Sequence, residues 1–432
     1  MQKRFILVLL LLFILRTMYG LCNEFWFEDE LQIYLIGLKY YTTGAWPYFG
    51  PDLVYTNTQI PGALQALLVA IPLFIVHEPE SPIIFLNILS FSTLCFLAWY
   101  ISKRIKIVPY WFIWIWVLTA PWVMCYSTRV VNPSYVLPFS ILFFIGFFEM
   151  FPVYKSRLLH LNLCAFLMGL TTTCIMQLHL SWVLLLPLTA AAFYFRMKED
   201  KFRILNRCGF YCLGFILGLL TLLPTLMNHT VAASGGTEKN IVFNLDNIKN
   251  IITIITRYLS FAAYEVPYML GGNTPARLEV IKSEIWMSPF ALFLLVIGWL
   301  QVIFFITCFF LKNKSEGWKA IKWINALTCL LLFLSFFFSI KGPSSHTFYL
   351  LLPLVMLYSF YCYEWLLERK PEMKKLLLTI LIAGFLFHIG LALNNYTIRS
   401  LYINRKLVKE AFDKKDYKIL GKRRADDWGY GY

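Results

Sequence analysis

Three consecutive carboxylates, Glu28, Asp29 and Glu30, stand directly behind an aromatic triplet, Phe25-Trp26-Phe27. A carboxylate held beside apolar rings at a membrane interface suits a general base or a ligand, and the rings raise its proton affinity by excluding water. The same acids also suit a solvated helix start, because negative charge is favoured at helix N-termini. Both readings stay open on the residues alone. Other polar groups stand at breaks between apolar runs: Arg129 and Asn132 within Tyr126-Ser127-Thr128-Arg129-Val130-Val131-Asn132-Pro133, Gln177 and His179, Arg257 and Arg277, and Lys341 with His346. Each has a structural alternative, as an interfacial cation, a helix-start residue or a satisfied histidine. Arg16 lies inside the first apolar run, where a charge either snorkels to the interface or serves a function.

The elements that must position these groups follow from composition. Of 432 residues 59% are hydrophobic and 15% charged, against about 25% charged in an ordinary soluble domain. The apolar residues gather into twelve segments: 5–21, 61–76, 82–101, 108–125, 134–153, 158–176, 180–196, 208–226, 288–311, 322–340, 347–367 and 376–393. Runs of about 20 apolar residues match the hydrocarbon thickness of a bilayer, and helices satisfy their own backbone there. The expected fold class is an all-α polytopic membrane protein of about 11–12 transmembrane segments, with amphipathic helices in its outer loops.

The net charge is +15. Its cations sit in short islands: Lys103, Arg104 and Lys106; Lys155 and Arg157; Arg196 to Arg207; Lys312 to Lys322; and Arg369 to Lys375. That is the pattern of cytoplasmic loops under the positive-inside rule, and it excludes nucleic acid as a partner. The loops 22–60, 227–287 and 341–346 then fall outside, on a transmembrane domain 1–393 followed by a basic tail, 394–432. One segment must fail to cross if the islands are to share a side. Segment 61–76 is short and begins Pro61-Gly62, so it is the candidate; the C-terminus then falls outside, against the charge of the tail. The ten cysteines lie mostly inside apolar runs, without metal or disulfide spacing, and read as small buried hydrophobes. The carboxylate triplet could take a divalent ion, but no ligand spacing supports a metal.

Two outer stretches carry apolar residues at helical spacing: Leu31, Tyr34, Leu38 and Tyr41, and then Ile248, Ile251, Ile252, Ile255, Tyr258, Leu259 and Ala262. They suit helices lying on the membrane surface or packed on the protein's own outer face.

A first helix, an outer Asp-Glu pair opening an amphipathic helix, then Gly44-Ala45-Trp46, then a proline before the next apolar run, resembles the GT-C superfamily of lipid-carrier-dependent glycosyltransferases, in its protein O-mannosyltransferase and aminoarabinose-transferase branch. The motif covers about residues 25 to 65. The resemblance implies that Asp29 is catalytic, with Glu30 beside it. It places Arg129 near the donor phosphate, though Asn132 stands where relatives carry an acid. Thr58-Gln59-Ile60-Pro61 replaces the family's Glu-Lys-Pro element. Lys341 and His346, ahead of Tyr349-Leu350-Leu351-Leu352-Pro353, become candidates for binding the phosphate. Glu28, Trp46, Gln59, Asn132, Gln177, His179 and Arg257 complete the expected cavity. The implied reaction moves a sugar from a polyprenyl-phosphate donor to a glycan, lipid or protein acceptor at the outer face of a bacterial cytoplasmic membrane, with inversion. A lipid-linked polysaccharide polymerase or ligase and a transporter are the rival classes.

Overall fold

Apolar runs bounded by prolines and charged islands leave the backbone one economical choice, and the computed structural model is helical almost throughout. It describes residues 2–26, 28–53, 58–154, 156–227, 243–312, 315–339 and 342–421. Among these, nine helices are long and apolar enough to cross a membrane, and three shorter ones are apolar. All twelve expected segments fall on these helices. The protein is an all-α polytopic membrane protein.

The chain enters with α1 (Gln2–Cys22), then α2 (Glu28–Thr43), a hairpin of β1 (Phe49–Leu53) and β2 (Thr58–Pro61), and α3 (Leu64–Ile75). The two strands pair antiparallel, with Asp52 opposite Gln59. Next come α4 (Ser81–Arg104), α5 (Tyr110–Thr119), α6 (Pro121–Tyr126), α7 (Asn132–Met150), α8 (Leu161–Met176), α9 (Leu185–Glu199), α10 (Ile204–Leu219) and α11 (Leu223–Met227). After a long connection follow α12 (Ile251–Ser260), α13 (Val266–Leu270), α14 (Thr274–Ser283), α15 (Ser288–Phe310), α16 (Glu316–Ser335), α17 (Leu352–Arg369), α18 (Lys374–Tyr396) and α19 (Ser400–Lys414). Pro121 separates α5 from α6, as expected of a residue that cannot continue the ladder of hydrogen bonds.

Cross-contacts fix which ends lie together. At one end Arg104 pairs with Glu149, the Tyr100 hydroxyl donates to Glu149 at 2.8 Å, and the Arg196 Nε donates to the Met150 carbonyl at 2.8 Å. The Lys106 amide donates to Glu364 at 2.8 Å. The described residues of the expected basic islands gather at this end. At the other end, the Ser400 amide donates to the Glu24 carbonyl at 2.9 Å, and Asn395 donates to Asn23 at 2.6 Å. So α18 finishes where α1 finishes, and α19 lies on that end.

The start of α4 is there too. Arg405 of α19 bridges Glu78 at 2.6 Å and Glu80 at 2.7 Å, and the Tyr34 hydroxyl of α2 donates to the Pro79 carbonyl at 2.9 Å. Helix α3 therefore leaves from and returns to one end, packed against α2. This answers the parity question: α3 does not traverse, and the described part of the basic tail lies beside the carboxylate triplet.

The second amphipathic stripe behaves differently from a surface helix. Tyr258 of α12 donates to Asn325 at 2.7 Å, near the middle of α16. The Tyr264 ring packs 5.7 Å from Trp116, and its amide donates to Gln301 at 3.3 Å. Gly298 and Gly384, midway along α15 and α18, lie directly against Tyr264; any side chain at either would collide with it. Residues 251–270 thus form a wedge driven to mid-depth between the spans. Non-helical backbone is tolerated at that depth because it is buried in protein and bonded there. The first stripe is also buried: Tyr34 and Leu38 are enclosed, and Ile33, Leu35 and Ile36 with them.

Candidate functional site

The end that carries the acidic loop gathers two buried carboxylates and one partly buried guanidinium. Gly20 makes it possible. Its missing side chain lets α1 lie against the Thr128 carbonyl, which brings Glu24 under the turn between α6 and α7. There the Val130 amide donates to the Glu24 carboxyl at 3.1 Å. The Ser127 and Thr128 hydroxyls fold back onto the Val123 and Met124 carbonyls, fixing the turn. Ser400 closes the other side, accepting from the Trp26 amide at 2.9 Å.

Arg129 projects from the same turn. Its guanidinium lies 4.9 Å from the centre of the Tyr126 ring, and its Nη2 is 3.7 Å from Glu30 Oε1. That separation is an ion pair, longer than a hydrogen bond. The buried Nε of Arg129 has no partner among the described residues. Tyr126 shares a hydroxyl–hydroxyl contact with Tyr268 at the top of the wedge, and Trp122 lies 4.8 Å from the Tyr268 ring. The guanidinium thus stands between an aromatic wall and a carboxylate.

Burial shapes the charges. Glu24 is fully enclosed. Desolvation pushes its pKa up to about 8, with the neighbouring Glu30 adding to the rise and the Val130 amide and Arg129 opposing it. At neutral pH Glu24 is therefore mostly protonated. Burial also raises the Glu30 pKa, with Arg129 counteracting. Burial disfavours the charge on Arg129, but Tyr126 and Glu30 outweigh it and hold its pKa above the ordinary guanidinium value. With Glu24 neutral, the Glu30–Arg129 pair leaves no net charge to desolvate, the arrangement least costly at depth.

Asp29, on the first turn of α2, is exposed, one position before the buried Glu30. Asn132 is the partly buried first residue of α7. Trp46 is half-buried, edge-on to Tyr40 at 5.9 Å. Gln59 is buried on β2. Gln177 is committed to structure, donating to the Gly218 carbonyl at 2.9 Å and accepting from Thr221 at 2.8 Å. His179 caps the 3₁₀ turn Leu180–Leu184 through the Ser181 amide at 3.1 Å. Arg257 ties the wedge to the Pro343 carbonyl at 2.7 Å, and Arg277 donates to Gly271 at 2.8 Å. Arg16 does not snorkel: it donates to the Leu118 carbonyl at 2.6 Å and to Ser127 at 2.7 Å, bracing the α5–α6 break. Lys341 lies outside the described residues, as do the side chains of Glu28 and His346.

Of the expected residues, Glu30 and Arg129 are brought together. Glu24 and Tyr268 were missed. Glu24 had a legible signal, as a lone acid closing an apolar run two residues after Cys22. Tyr268 had none, since its place depends on the wedge. Among the described residues no group of three or more His, Cys, Asp or Glu side chains could hold a metal ion. No family model, curated protein or solved structure matches this chain.

Proposed function

We propose that this chain is a membrane glycosyltransferase that moves a sugar from a polyprenyl-phosphate donor to an acceptor hydroxyl, inverting the anomeric carbon. The observation that carries the reading is Arg129. A guanidinium offers five N–H donors; this one lies partly buried over an aromatic ring, has one loose ion pair and keeps its Nε unpartnered. A phosphate is the planar guanidinium's natural bidentate partner.

In this reaction the acceptor oxygen forms a bond to the anomeric carbon as the carbon–oxygen bond to phosphate breaks. The bonding pair leaves on the phosphate oxygen, where Arg129 offsets the developing charge. The acceptor proton passes to Asp29, whose carboxylate is exposed on the first turn of α2. Glu30 orients Arg129, Tyr126 backs the guanidinium, and the partly exposed Tyr268 offers an edge against which a sugar ring can lie. Lys341 and His346 remain proposed second contacts to the phosphate. The basic end faces the cytoplasm by the positive-inside rule, which puts the site on the outer face.

The test is transfer by the purified protein in lipid nanodiscs supplied with a panel of synthetic polyprenyl-phosphate sugars, read as release of polyprenyl phosphate. Release that depends on Arg129 and Asp29 is expected. Absence of release across the panel, together with lipid-phosphate binding unchanged in Arg129→Gln, would overturn the reading.

A further inference from the structure

Helices α15 and α16 are consecutive, yet they do not lie flush. They converge at the basic end, where Phe309 packs edge-on against Trp323 at 5.6 Å and the Lys322 amine donates to the Leu311 carbonyl at 2.8 Å. Above that point the wedge helix α12 splays them apart. The gap is a half-open groove of about 330 Å³. Its floor is Tyr358 of α17, its walls include Phe305 and Cys329, and its roof includes Ile254 and Tyr258.

Its chemistry narrows the occupant. Every nitrogen and oxygen that the lining side chains offer is already engaged: Asn325 accepts from Tyr258 at 2.7 Å and donates to the Ile321 carbonyl at 3.0 Å, and the Tyr358 hydroxyl donates to the Phe305 carbonyl at 2.8 Å. Water needs two or more polar partners to settle in a cavity, and none is on offer. An empty groove would forfeit dispersion contacts along its whole lining. Its mouth lies between outward-facing residues of the spans, with Leu330 51% and Phe310 79% exposed. In a bilayer those residues touch lipid, so the medium beside the mouth is hydrocarbon.

We infer that this groove is a binding site for one acyl chain of a bilayer phospholipid, held beneath the wedge. The lining along α16 from Asn325 to Phe333 runs about 12 Å. The volume admits on the order of ten methylenes at the ~30 Å³ share of a water-sized group. That is a segment of one acyl chain, and none of the described lining residues carries a charge that would read a headgroup. The inference is independent of the transferase reading.

The test uses the protein in nanodiscs containing a phospholipid with a photoreactive diazirine in its acyl chain. Cross-links are mapped by mass spectrometry before and after detergent washing. After washing, cross-links are expected to persist on α12 and α16 around Ala326 and to vanish from the lipid-facing side of α1. Ala326→Trp fills the groove and should abolish the persistent set. In the unsubstituted protein, alkylation of Cys329 by a lipid-soluble maleimide should accelerate on delipidation, whereas the exposed Cys212 should not change. Equal loss of groove and α1 cross-links on washing would overturn the site, as would equal behaviour of the two cysteines. Displacement of the phospholipid by added polyprenyl phosphate would assign the groove to a different lipid and overturn it too.

Discussion

Arg129 stands 3.7 Å from Glu30, and the two residues reach each other from elements almost a hundred positions apart in the chain. Glu30 is buried and Arg129 partly so, and their separation leaves room for a better partner on the guanidinium. Arg129→Gln should therefore lower transfer by about 10²–10³, the usual effect of losing one charge stabiliser. It should also destabilise the protein, because Glu30 is left buried without its cation. The double variant Arg129→Gln/Glu30→Gln should regain stability in thermal melts but not activity. If the double variant regained both, Arg129 would be structural only.

Asp29 and Glu30 are adjacent in sequence but differ in burial, and that contrast predicts separable effects. Asp29→Asn should keep the melting temperature and lose about 10²–10⁴ in transfer rate, as removal of a general base does. Glu28→Gln should be milder. Comparing rate with melting temperature for the three single amide variants checks this. Full activity in Asp29→Asn with loss in Glu30→Gln would move the base to the buried carboxylate.

The wedge and the acid cluster show where reading the residues alone stops. Apolar run length placed all twelve helices, because the bilayer imposes one length scale on each span. It also singled out the weak span, α3, from its shortness and its Pro61-Gly62 start. Periodicity could say that α12 has an apolar face but not what the wedge meets; Asn325 awaits Tyr258 in the middle of α16, and Gln301 and Gly298 await Tyr264 in the middle of α15. Arg129 was visible as a cation at a turn, whereas its aromatic neighbour Tyr268 arrives only through the fold. The pull of Glu78 and Glu80 on α19 was equally hidden, since the basic tail reads by charge count as cytoplasmic.

That last point predicts a sidedness. Lys406 on α19 and Lys201 ahead of α10 are both exposed, at opposite ends of the bundle. Single-cysteine variants at the two positions, on a background with reactive cysteines removed, should label from opposite sides with an impermeant maleimide in intact cells. High salt should also loosen α19, because its ion pairs to Glu78 and Glu80 are partly solvent-exposed and are screened to that extent. Labelling of both positions from the same side would undo the placement of the tail.

Glu24 predicts a pH dependence of stability with a definite sign. Its folded-state pKa is raised from 4.5 to about 8, mainly by burial. Below pH 4.5 the carboxyl is protonated in both states and adds no slope. Between there and about 8 the folded protein keeps a proton that the unfolded chain has released. Stability then falls as pH rises, by about 1.4 kcal/mol per unit where the slope is steepest. Above that window both states are ionised and the loss is complete. Glu24→Gln keeps the shape and can still accept from the Val130 amide, but it does not titrate. The melting temperature of the unsubstituted protein should decline between pH 5 and 8 relative to the variant, whose curve absorbs every other titrating group. Parallel curves would mean that Glu24 is solvated or paired differently, and the charge balance drawn for Glu30 and Arg129 would fall with it.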